Sequence, residues 1–306
     1  MVFPCFGPST TTDEVATVFC DEIRGKNVLV TGTSLNGLGY ETARAIARYA
    51  NLVIITGYNA ERLRLSEAAI KREFPSTNIR SLNLDLSSLA AVRRAAAEVN
   101  AYPEPIHVLI HNAAATVGPF KLTPDALESQ IATDFIGPFL FTKLIAPKIQ
   151  ATHTATYTPR VVALTSIFHE YAQGIDLADM EHPDAAKYEP FKAYNEAKSA
   201  HVLWMVELSR RAGGAIHGYS VSPGVALTNL QLKPESLEIF IASEIITPDL
   251  KPNTKNYHWK TIPESAATTL VAAFDPRLED KPGAYLDDCN IAEIAGPNIL
   301  DPDAYG

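Results

Sequence analysis

Six short runs rich in Val, Ile and Leu recur along the chain, and longer amphipathic segments separate them. The runs are NVLVT (27–31), LVIIT (52–56), IRSLNL (79–84), HVLIHN (107–112), RVVALTS (160–166) and IHGYSVS (216–222). Short apolar strands that alternate with helical segments are typical of a parallel sheet covered on both faces. We therefore expect an α/β protein with a single doubly wound parallel sheet and helices on both faces.

Two further segments extend this plan within one domain spanning 1–306. The segment STTTDEVATVF offers hydroxyl caps followed by acidic residues, which predicts a helix at about 12–23, before the first strand. A long irregular segment at about 228–260 precedes the last helix, near 263–274. A loop of this length in a compact domain is typical of a lid or binding loop, so we expect a substrate lid there.

The composition narrows the classes of function. The 306 residues carry a formal net charge of −9, which argues against a general affinity for nucleic acid or anionic membranes. Cys5, Cys20 and Cys289 form neither a disulfide framework nor a CxxC pattern, and the histidines lack metal-ligand spacing. The start lacks the features of a secretory signal, and no stretch approaches the roughly 18 apolar residues of a membrane span. We expect no metal, no nucleic-acid partner and no membrane span, and a cytoplasmic location.

A glycine-rich loop follows the first strand, in VLVTGTSLNGLGYETA. Gly32, Gly37 and Gly39 permit a tight turn and a close approach of the backbone to a phosphate, and the helix behind them offers unpaired N–H groups. The loop is neither GxGxxG nor a P-loop, and glycines at such a turn also occur for purely structural reasons. Nucleotide binding and a structural turn both remain open on this loop alone.

Other strand ends carry features of the same kind. Asp85 ends strand three, where it is either an acceptor for an adenine amino group or a helix N-cap. The segment HNAAA (111–115) ends strand four with small residues, as close packing beside a cofactor requires. Because open α/β sheets bind ligands at the carboxyl ends of their strands, these features predict a shared cofactor site.

Two Tyr-x-x-x-Lys matches lie side by side in KYEPFKAYNEAKSAHVLW. Pro190 lies between Tyr188 and Lys192 and disfavours a continuous helix there, so that pair need not share a helix face. Tyr194 and Lys198 lie one turn apart on an uninterrupted helical pattern, which makes them neighbours. An ammonium beside a phenol stabilises the phenolate, and the second pair is therefore the candidate for acid–base catalysis.

Together these motifs resemble the short-chain dehydrogenase/reductase family. The matching residues are Thr31-Gly32 with Gly37-x-Gly39, Asn112-Ala113-Ala114, a Ser at the end of strand five and the second Tyr-x-x-x-Lys. The segments RVVALTSIFHE, GIDLADM, SPGVALTNL and KPGAYLDDC are similar to its retinol-dehydrogenase-like branch, which includes many fungal enzymes of secondary metabolism. The resemblance covers about residues 26–289 and implies a Rossmann-like fold. Two departures are an extra residue within 33–36, as in fungal-type members, and Asn-Ala-Ala in place of Asn-Ala-Gly.

The resemblance implies an oxidoreductase that interconverts a carbonyl and an alcohol with a nicotinamide cofactor. Tyr194 would exchange the proton on the substrate oxygen, Ser166 would orient that oxygen, and Lys198 would tune Tyr194 and hold the nicotinamide ribose. By itself, a strand-end Ser is more typical of a turn or a cap. Asp134, in TDFIGPFLFT, occupies the position of a family Asn whose main-chain carbonyl holds a proton-relay water. The Asp134 carboxylate would either lower the efficiency of proton transfer or pair with Lys198.

The resemblance also assigns a set of residues to cofactor binding. No acidic residue follows the second strand in ITGYNAERL, which favours NADP and leaves NAD as the alternative. Tyr58 is a candidate to stack on adenine, and Asn59 or Arg62 to reach a ribose phosphate. The full set is Gly32, Thr33, Ser34, Asn36, Gly37, Leu38, Gly39, Tyr58, Asn59, Arg62, Asp85, Leu86, Asn112, Ala113, Ala114, Tyr194, Lys198, Pro223, Gly224, Val225 and Thr228.

The expected lid is rich in apolar side chains, in LQLKPESLEIFIASEII (230–246). In the family this region shapes the substrate pocket, which favours a small lipophilic alcohol, aldehyde or ketone; alternatively, these residues only pack on the core. A second hypothesis is a cofactor-binding protein of the same fold that is non-catalytic or performs a non-redox step, because Asp134 replaces the family Asn. Related proteins often dimerise through helices that include the one bearing Tyr and Lys, so a homodimer is a further expectation.

Overall fold

The apolar runs form the strands of one sheet. The computed structural model describes residues 3–172 and 174–294, and eight strands are present in this part of the chain. They are β1 (Asn27–Val30), β2 (Leu52–Gly57), β3 (Ile79–Asn83), β4 (Val108–His111), β5 (Arg160–Leu164), β6 (His217–Val221), β7 (Tyr285–Asp287) and β8 (Asn290–Ala292). Their order is β3-β2-β1-β4-β5-β6-β7-β8, with β1 to β7 parallel and β8 antiparallel to β7. The expected parallel sheet is confirmed, and β7 and β8 extend it beyond β6.

Helices connect the strands. They are α1 (Thr12–Val18), α2 (Cys20–Ile23), α3 (Leu38–Ala47), α4 (Ala60–Glu73), α5 (Leu89–Ala101), α6 (Ser129–Ile131), α7 (Gly137–Gln150), α8 (Leu177–Glu181), α9 (Pro190–Ala212), α10 (Pro234–Ala242) and α11 (Ile262–Phe274). A π-helical turn (Ala132–Ile136) leads into α7, and 3₁₀ turns occupy Ile167–Tyr171 and Pro276–Leu278. Within the described ranges, no helix is both long enough and apolar enough to cross a membrane.

Successive residues of β1 bury their side chains on opposite faces of the sheet. Val28 and Val30 belong to an apolar cluster that includes residues of α3 and α11, such as Ile46 and Leu270. Leu29 belongs to a second cluster, which includes residues of α5, α7 and α9. Because both faces are covered, β1 is apolar at three consecutive positions, 28–30, as is typical of the doubly wound fold.

The N-terminal segment forms two helices where the sequence predicts a single one at about 12–23. Thr11 caps α1, and the chain turns at Phe19 (φ −98°, ψ 24°) before α2 begins. Arg44 Nη2 lies 2.9 Å from Asp13 Oδ1, and this ion pair ties α1 to α3.

The segment expected to be a lid, about 228–260, contains α10 and returns to the loop that follows β6. Trp259 pairs with Val225 in an isolated parallel bridge. Lys260, whose side chain is 5% exposed, forms an ion pair with Asp288 in the turn between β7 and β8. The C-terminal end of this segment is therefore fixed to the sheet.

A third apolar cluster, the lid cluster, joins this segment to the start of α9. Its buried members are Val117, Phe240, Ile245 and Ile246. The partly buried side chains packed against them are Phe191, Tyr194, Leu227, Leu237, Ile239, Ile241, Tyr257 and Trp259. The apolar lid residues thus pack around Tyr194, at the end of the sheet where the strands finish.

Candidate active site

The glycine loop packs tightly against the end of β4. Gly32 adopts φ +71°, and a Cβ on it would lie 2.6 Å from Ala113 Cα. A Cβ on Gly39 would lie 2.2 Å from Asn112 Nδ2. Asn112 Nδ2 donates to the carbonyl oxygens of Thr31 and Gly32, at 2.9 Å each. Glycine is therefore required at both positions, and Asn112 holds the shape of the loop.

The helix behind this loop begins without a side-chain cap. Gly37 is the N-cap of α3, and within the described residues no side chain accepts from the first-turn N–H groups. A Cβ on Gly37 would meet Ser34 O at 3.1 Å. By contrast, Asn59 caps α4 and Ser88 caps α5. The N–H groups from Leu38 onward are thus available to an anion, so the loop fits the phosphates of a dinucleotide.

The glycine loop also contacts β2 and the lid segment. Thr33 is buried, and its hydroxyl donates to Thr56 O at 3.1 Å. Asn36 adopts φ +59°, a left-handed conformation that asparagine tolerates. Asn229 Nδ2 donates to Leu35 O at 2.8 Å. One loop therefore links the expected cofactor site to the start of the expected lid.

The ends of β2 and β3 carry the residues expected near adenosine. Tyr58 is 63% exposed and Arg62 is also exposed. Asn59 Oδ1 accepts from Arg62 N at 2.9 Å, so this side chain serves as a helix cap. Asp85 Oδ1 accepts from the backbone N and the hydroxyl of Ser87, at 3.0 and 2.6 Å. The expectation that Asp85 is a helix N-cap is wrong, because Ser88 caps α5.

Helix α9 contains only one of the two candidate tyrosines. It begins at Pro190, so Tyr188 lies outside it, whereas Tyr194 and Lys198 lie one turn apart within it. The Lys198 side chain is 4% exposed, and its Nζ lies 5.5 Å from the centre of the Tyr194 ring. Lys198 Nζ also donates to Leu164 O at 3.3 Å. The second pair therefore meets the carboxyl end of β5.

Tyr188 and Lys192 make other contacts. The Tyr188 hydroxyl accepts from Gln130 Nε2 at 2.7 Å and donates to Gly118 O at 3.1 Å. Burial raises the pKa of Tyr188 to about 12. Lys192 Nζ pairs with Asp179 Oδ2 at 2.8 Å. Both residues have a structural explanation that does not involve proton transfer.

Ser166 lies directly after β5 and starts the 3₁₀ turn Ile167–Tyr171. Its hydroxyl oxygen accepts from Phe168 N at 3.3 Å, and the Phe168 ring lies 6.2 Å from the Tyr194 ring. The adjacent Thr165 hydroxyl donates to Lys198 O at 2.6 Å. Ser166 is thus a cap, as its residue type favours, and it is also close to the Tyr–Lys helix.

Asp134 is fully buried on the π-helical turn. Its Oδ2 lies 3.4 Å from Lys198 Nζ, and its Oδ1 accepts from Ala115 N, which follows Ala114 at the end of β4. Burial raises the pKa of the Asp134 carboxyl, and the Lys198 ammonium partly opposes this rise. Of the two alternatives for Asp134, the structure contains the ion pair with Lys198. The buried Leu86 lies nearby, with its carbonyl oxygen against the start of α7.

The segment after β6 holds the remaining expected cofactor residues. Pro223 O accepts from the Ser265 hydroxyl at 2.6 Å. Gly224 adopts φ +70°, and Val225 carries the bridge to the lid segment. The Thr228 hydroxyl donates to Gln231 Oε1 at 2.9 Å. These contacts fix the loop at the same edge of the sheet as the glycine loop.

Two further residues contact the site although the sequence motifs do not include them. His201, one turn after Lys198 on α9, contacts the carbonyl oxygens of Leu164 and Asp134. Its helical spacing from Lys198 was a usable signal. Lys260 packs against Gly224, where a Cβ would lie 3.1 Å from the lysine Cδ and Cε. No local pattern indicates that contact, because it depends on the return of the lid segment to the sheet.

Comparisons with known proteins agree with this architecture. The family model described as short chain dehydrogenase matches residues 26–173. A chloroplastic short-chain dehydrogenase, TIC 32 A of Brassica napus, is 35% identical over 94% of this chain and 87% of that protein. The short-chain dehydrogenase/reductase prx1 of Penicillium roqueforti is 33% identical over 90% and 77%. The polyprenol dehydrogenase of Mus musculus is 32% identical over 89% and 78%.

Solved structures share the fold at lower identity. The oxidoreductase yciK of E. coli superposes with a TM-score of 0.65 at 21% identity, over 89% of this chain and 98% of that one. A 3-oxoacyl (acyl-carrier-protein) reductase of Agrobacterium tumefaciens with NADP bound gives 0.64 at 22% identity, over 87% and 93%. The sequence matches to the three named relatives cover 89–94% of this chain. The chain belongs to the short-chain dehydrogenase/reductase family, whose members are NAD(P)-dependent oxidoreductases.

Proposed function

We propose that this chain is an NADP(H)-dependent oxidoreductase that interconverts a carbonyl and an alcohol on a small lipophilic substrate, with Tyr194 as general acid and base. The supporting observation is the position of the Tyr194 ring. It packs in the apolar lid cluster on one side and lies 5.5 Å from the buried Lys198 Nζ on the other. A phenol that contacts apolar side chains and also lies near a cation is suited to exchange protons with an apolar substrate.

The residues of the site divide the chemistry among them. A bound nicotinamide dinucleotide supplies the hydride acceptor or donor. The Tyr194 hydroxyl gives a proton to the carbonyl oxygen during reduction and recovers it during oxidation. The Lys198 ammonium stabilises the phenolate that forms, and the Ser166 hydroxyl donates to the same substrate oxygen. Fixed donors aimed at that oxygen stabilise the charge that develops on it.

The same edge of the sheet offers residues for each part of the cofactor. The uncapped start of α3 and the glycine loop would hold the phosphates. Arg62 and Tyr58, both exposed after β2, would hold the adenosine end, and the missing carboxylate there favours NADP. Asn112, Ala113 and Ala114, with the segment from Pro223 to Thr228, would line the remainder.

The lid cluster supports a lipophilic substrate. Tyr194 packs against aliphatic and aromatic side chains, and the ring centres of Phe191 and Phe240 lie 6.5 Å apart within that cluster. The name of the mouse relative, polyprenol dehydrogenase, also denotes a lipophilic alcohol. We further propose a cytoplasmic location and a role in secondary metabolism. The chain would belong to the retinol-dehydrogenase-like branch of the family and form a homodimer through an interface that includes α9.

The alternative is a cofactor-binding member of the fold that is non-catalytic or performs a non-redox step. The buried carboxylate of Asp134 favours it, because it competes for the charge of Lys198. Titration with NADPH and NADH, followed by nicotinamide absorbance with lipophilic ketones, aldehydes and alcohols, separates the two. Turnover that requires NADPH supports the first proposal, and tight binding without turnover on the whole panel supports the second.

A further inference from the structure

His201 lies between two main-chain carbonyls at the base of the site. Its Nδ1 is 2.9 Å from Leu164 O, its Nε2 contacts Asp134 O, and the residue is 1% exposed. We propose that His201 is a positioning residue in the Nε2–H tautomer, which holds the main chain of Asp134 so that its carboxylate faces Lys198. Only the catalytic consequence of this placement rests on the proposed function.

The Asp134 carbonyl is available to His201 because of Pro138. In an α-helix this carbonyl would accept from the N–H four residues later, but Pro138 occupies that position and has no N–H. The chain instead forms the π-helical turn Ala132–Ile136 before α7. The imidazole of His201 supplies a donor from a neighbouring helix, so the buried carbonyl need not lose a hydrogen bond.

The choice of tautomer follows from counting donors and acceptors. A neutral imidazole has one N–H and can satisfy one of the two carbonyls. Leu164 O also accepts from Lys198 Nζ, whereas Asp134 O lacks its α-helical donor. The N–H is therefore placed on Nε2. A charged ring would satisfy both carbonyls, but burial and the Lys198 charge lower the pKa of His201 to about 3.

His201 completes the set of contacts that orient Asp134. The main-chain oxygen meets His201, and Oδ1 accepts from Ala115 N. Oδ2 has no hydrogen bond within the described residues and lies 3.4 Å from Lys198 Nζ. With the other two oxygens held, Oδ2 is the one directed at the lysine.

The titratable groups that face His201 and Asp134 come from several elements. Lys198 lies on the same helix, Asp134 on the π-helical turn, and His111 at the end of β4. Burial lowers the pKa of His111 to about 3, so this ring is neutral near physiological pH. Glu128 acts on Asp134 and adds to the rise in the pKa of its carboxyl.

Two amide substitutions separate the two contacts of the ring. The amide nitrogen of Gln reaches about as far as Nε2, and that of Asn about as far as Nδ1. We expect His201→Gln to keep kcat within about threefold, and His201→Asn and His201→Ala to lower it on the order of 10–100-fold, because the buried Asp134 carbonyl loses its donor and the π-helical turn that packs beside Lys198 shifts. Thermal unfolding of each variant provides the control for folding. Equal rescue by Asn and Gln would overturn the proposal.

The tautomer can be measured without any substrate. In ¹⁵N spectra of histidine-labelled protein, the His201 signals are those absent from His201→Gln. We expect a protonated Nε2 and an unprotonated Nδ1 at neutral pH. An Nδ1–H tautomer or an imidazolium would contradict the proposal. If the wild-type protein turned over no substrate, the proposed function would fail, while this spectrum would still decide the placement of His201.

Discussion

Asp134 Oδ2 and Lys198 Nζ form an ion pair at 3.4 Å in which the two side chains are 0% and 4% exposed. The desolvation of two charges costs about several kcal/mol per ion, and their attraction recovers this only with good geometry and further hydrogen bonds. The Asp134 Oδ2 lacks such a bond within the described residues. A buried pair of this kind beside Tyr194 is better explained by function than by stability.

The charge of Asp134 is expected to oppose the action of Lys198 on Tyr194. In Asp134→Asn, the amide oxygen can still accept from Ala115 N, but the charge that faces Lys198 is lost. We expect kcat with a carbonyl substrate to be preserved or raised, because the Lys198 ammonium then acts on Tyr194 without a competitor. A fall of more than about 100-fold would instead show that the carboxylate transfers protons itself.

The same substitution has a predicted effect on stability that depends on pH. Burial raises the pKa of Asp134 in the folded chain above its ordinary value, so the ionised form is disfavoured by folding. Folding therefore favours protonation of Asp134, and the stability that this contributes at low pH is lost as the pH rises through the folded pKa. The difference in Tm, Asp134→Asn minus wild type, should therefore increase from about pH 4 to pH 7. A difference that is flat or decreases over this range would contradict the direction of the shift.

Replacement of the proposed acid–base group should abolish turnover. We expect Tyr194→Phe to lower kcat by roughly 10²–10⁴-fold, since the phenyl ring keeps the packing in the lid cluster but cannot exchange a proton. The affinity for NADPH should change little, which fluorescence titration of the cofactor can measure.

Tyr188→Phe is the matched control for that change. It removes one hydroxyl from the other Tyr-x-x-x-Lys match and breaks the contacts with Gln130 Nε2 and Gly118 O. We expect a loss of about 1–2 kcal/mol in the free energy of unfolding and a nearly unchanged kcat. If Tyr188→Phe reduced kcat more than Tyr194→Phe did, the assignment of the catalytic tyrosine would be wrong.

The glycine loop should tolerate no side chain at position 39. Gly39→Ala would place Cβ 2.2 Å from Asn112 Nδ2 and 2.5 Å from Gly32 O. We expect a destabilisation of about 1–3 kcal/mol and a loss of cofactor binding, because the contacts of Asn112 that shape the loop must break. Gly118→Ala is the control, since its Cβ would meet its nearest neighbour at an ordinary 3.6 Å. Calorimetry with NADPH measures both effects, and unchanged affinity in Gly39→Ala would refute the role given to the loop.

Arg62 should distinguish NADPH from NADH. A guanidinium that reaches the 2′-phosphate contributes to the binding of NADPH alone, so Arg62→Ala should weaken NADPH binding about tenfold and leave NADH binding unchanged. Arg64→Ala is the control on the same helix, because Arg64 pairs with Glu61 at 2.7 Å. Equal losses for both cofactors in Arg62→Ala would count against NADP as the preferred one.

Strands β1 to β6 were predictable because most of them are apolar on both faces of the sheet. Such strands are visible in the sequence as short continuous apolar runs. The last two strands were not, since β7 and β8 have three residues each and owe their place to pairing such as that of Leu286 with Val221. The sequence offers Asp85 as a possible N-cap of the helix after β3, whereas Ser88 caps α5 in the structure. The sequence alone does not show which of several adjacent polar residues faces the helix N-terminus. The contact of His201 with Asp134 joins positions 67 residues apart, which a local pattern cannot reveal.

The lid cluster has a consequence for how such a chain can change over time. Its buried members are Val117, Phe240, Ile245 and Ile246, and they lie outside the two clusters that cover the sheet. Substitutions among them alter the apolar surroundings of Tyr194 without disturbing the packing of the strands, and additivity is expected for sites that share no partners. Selection for a new substrate can therefore act on the lid segment while selection for folding acts on the sheet.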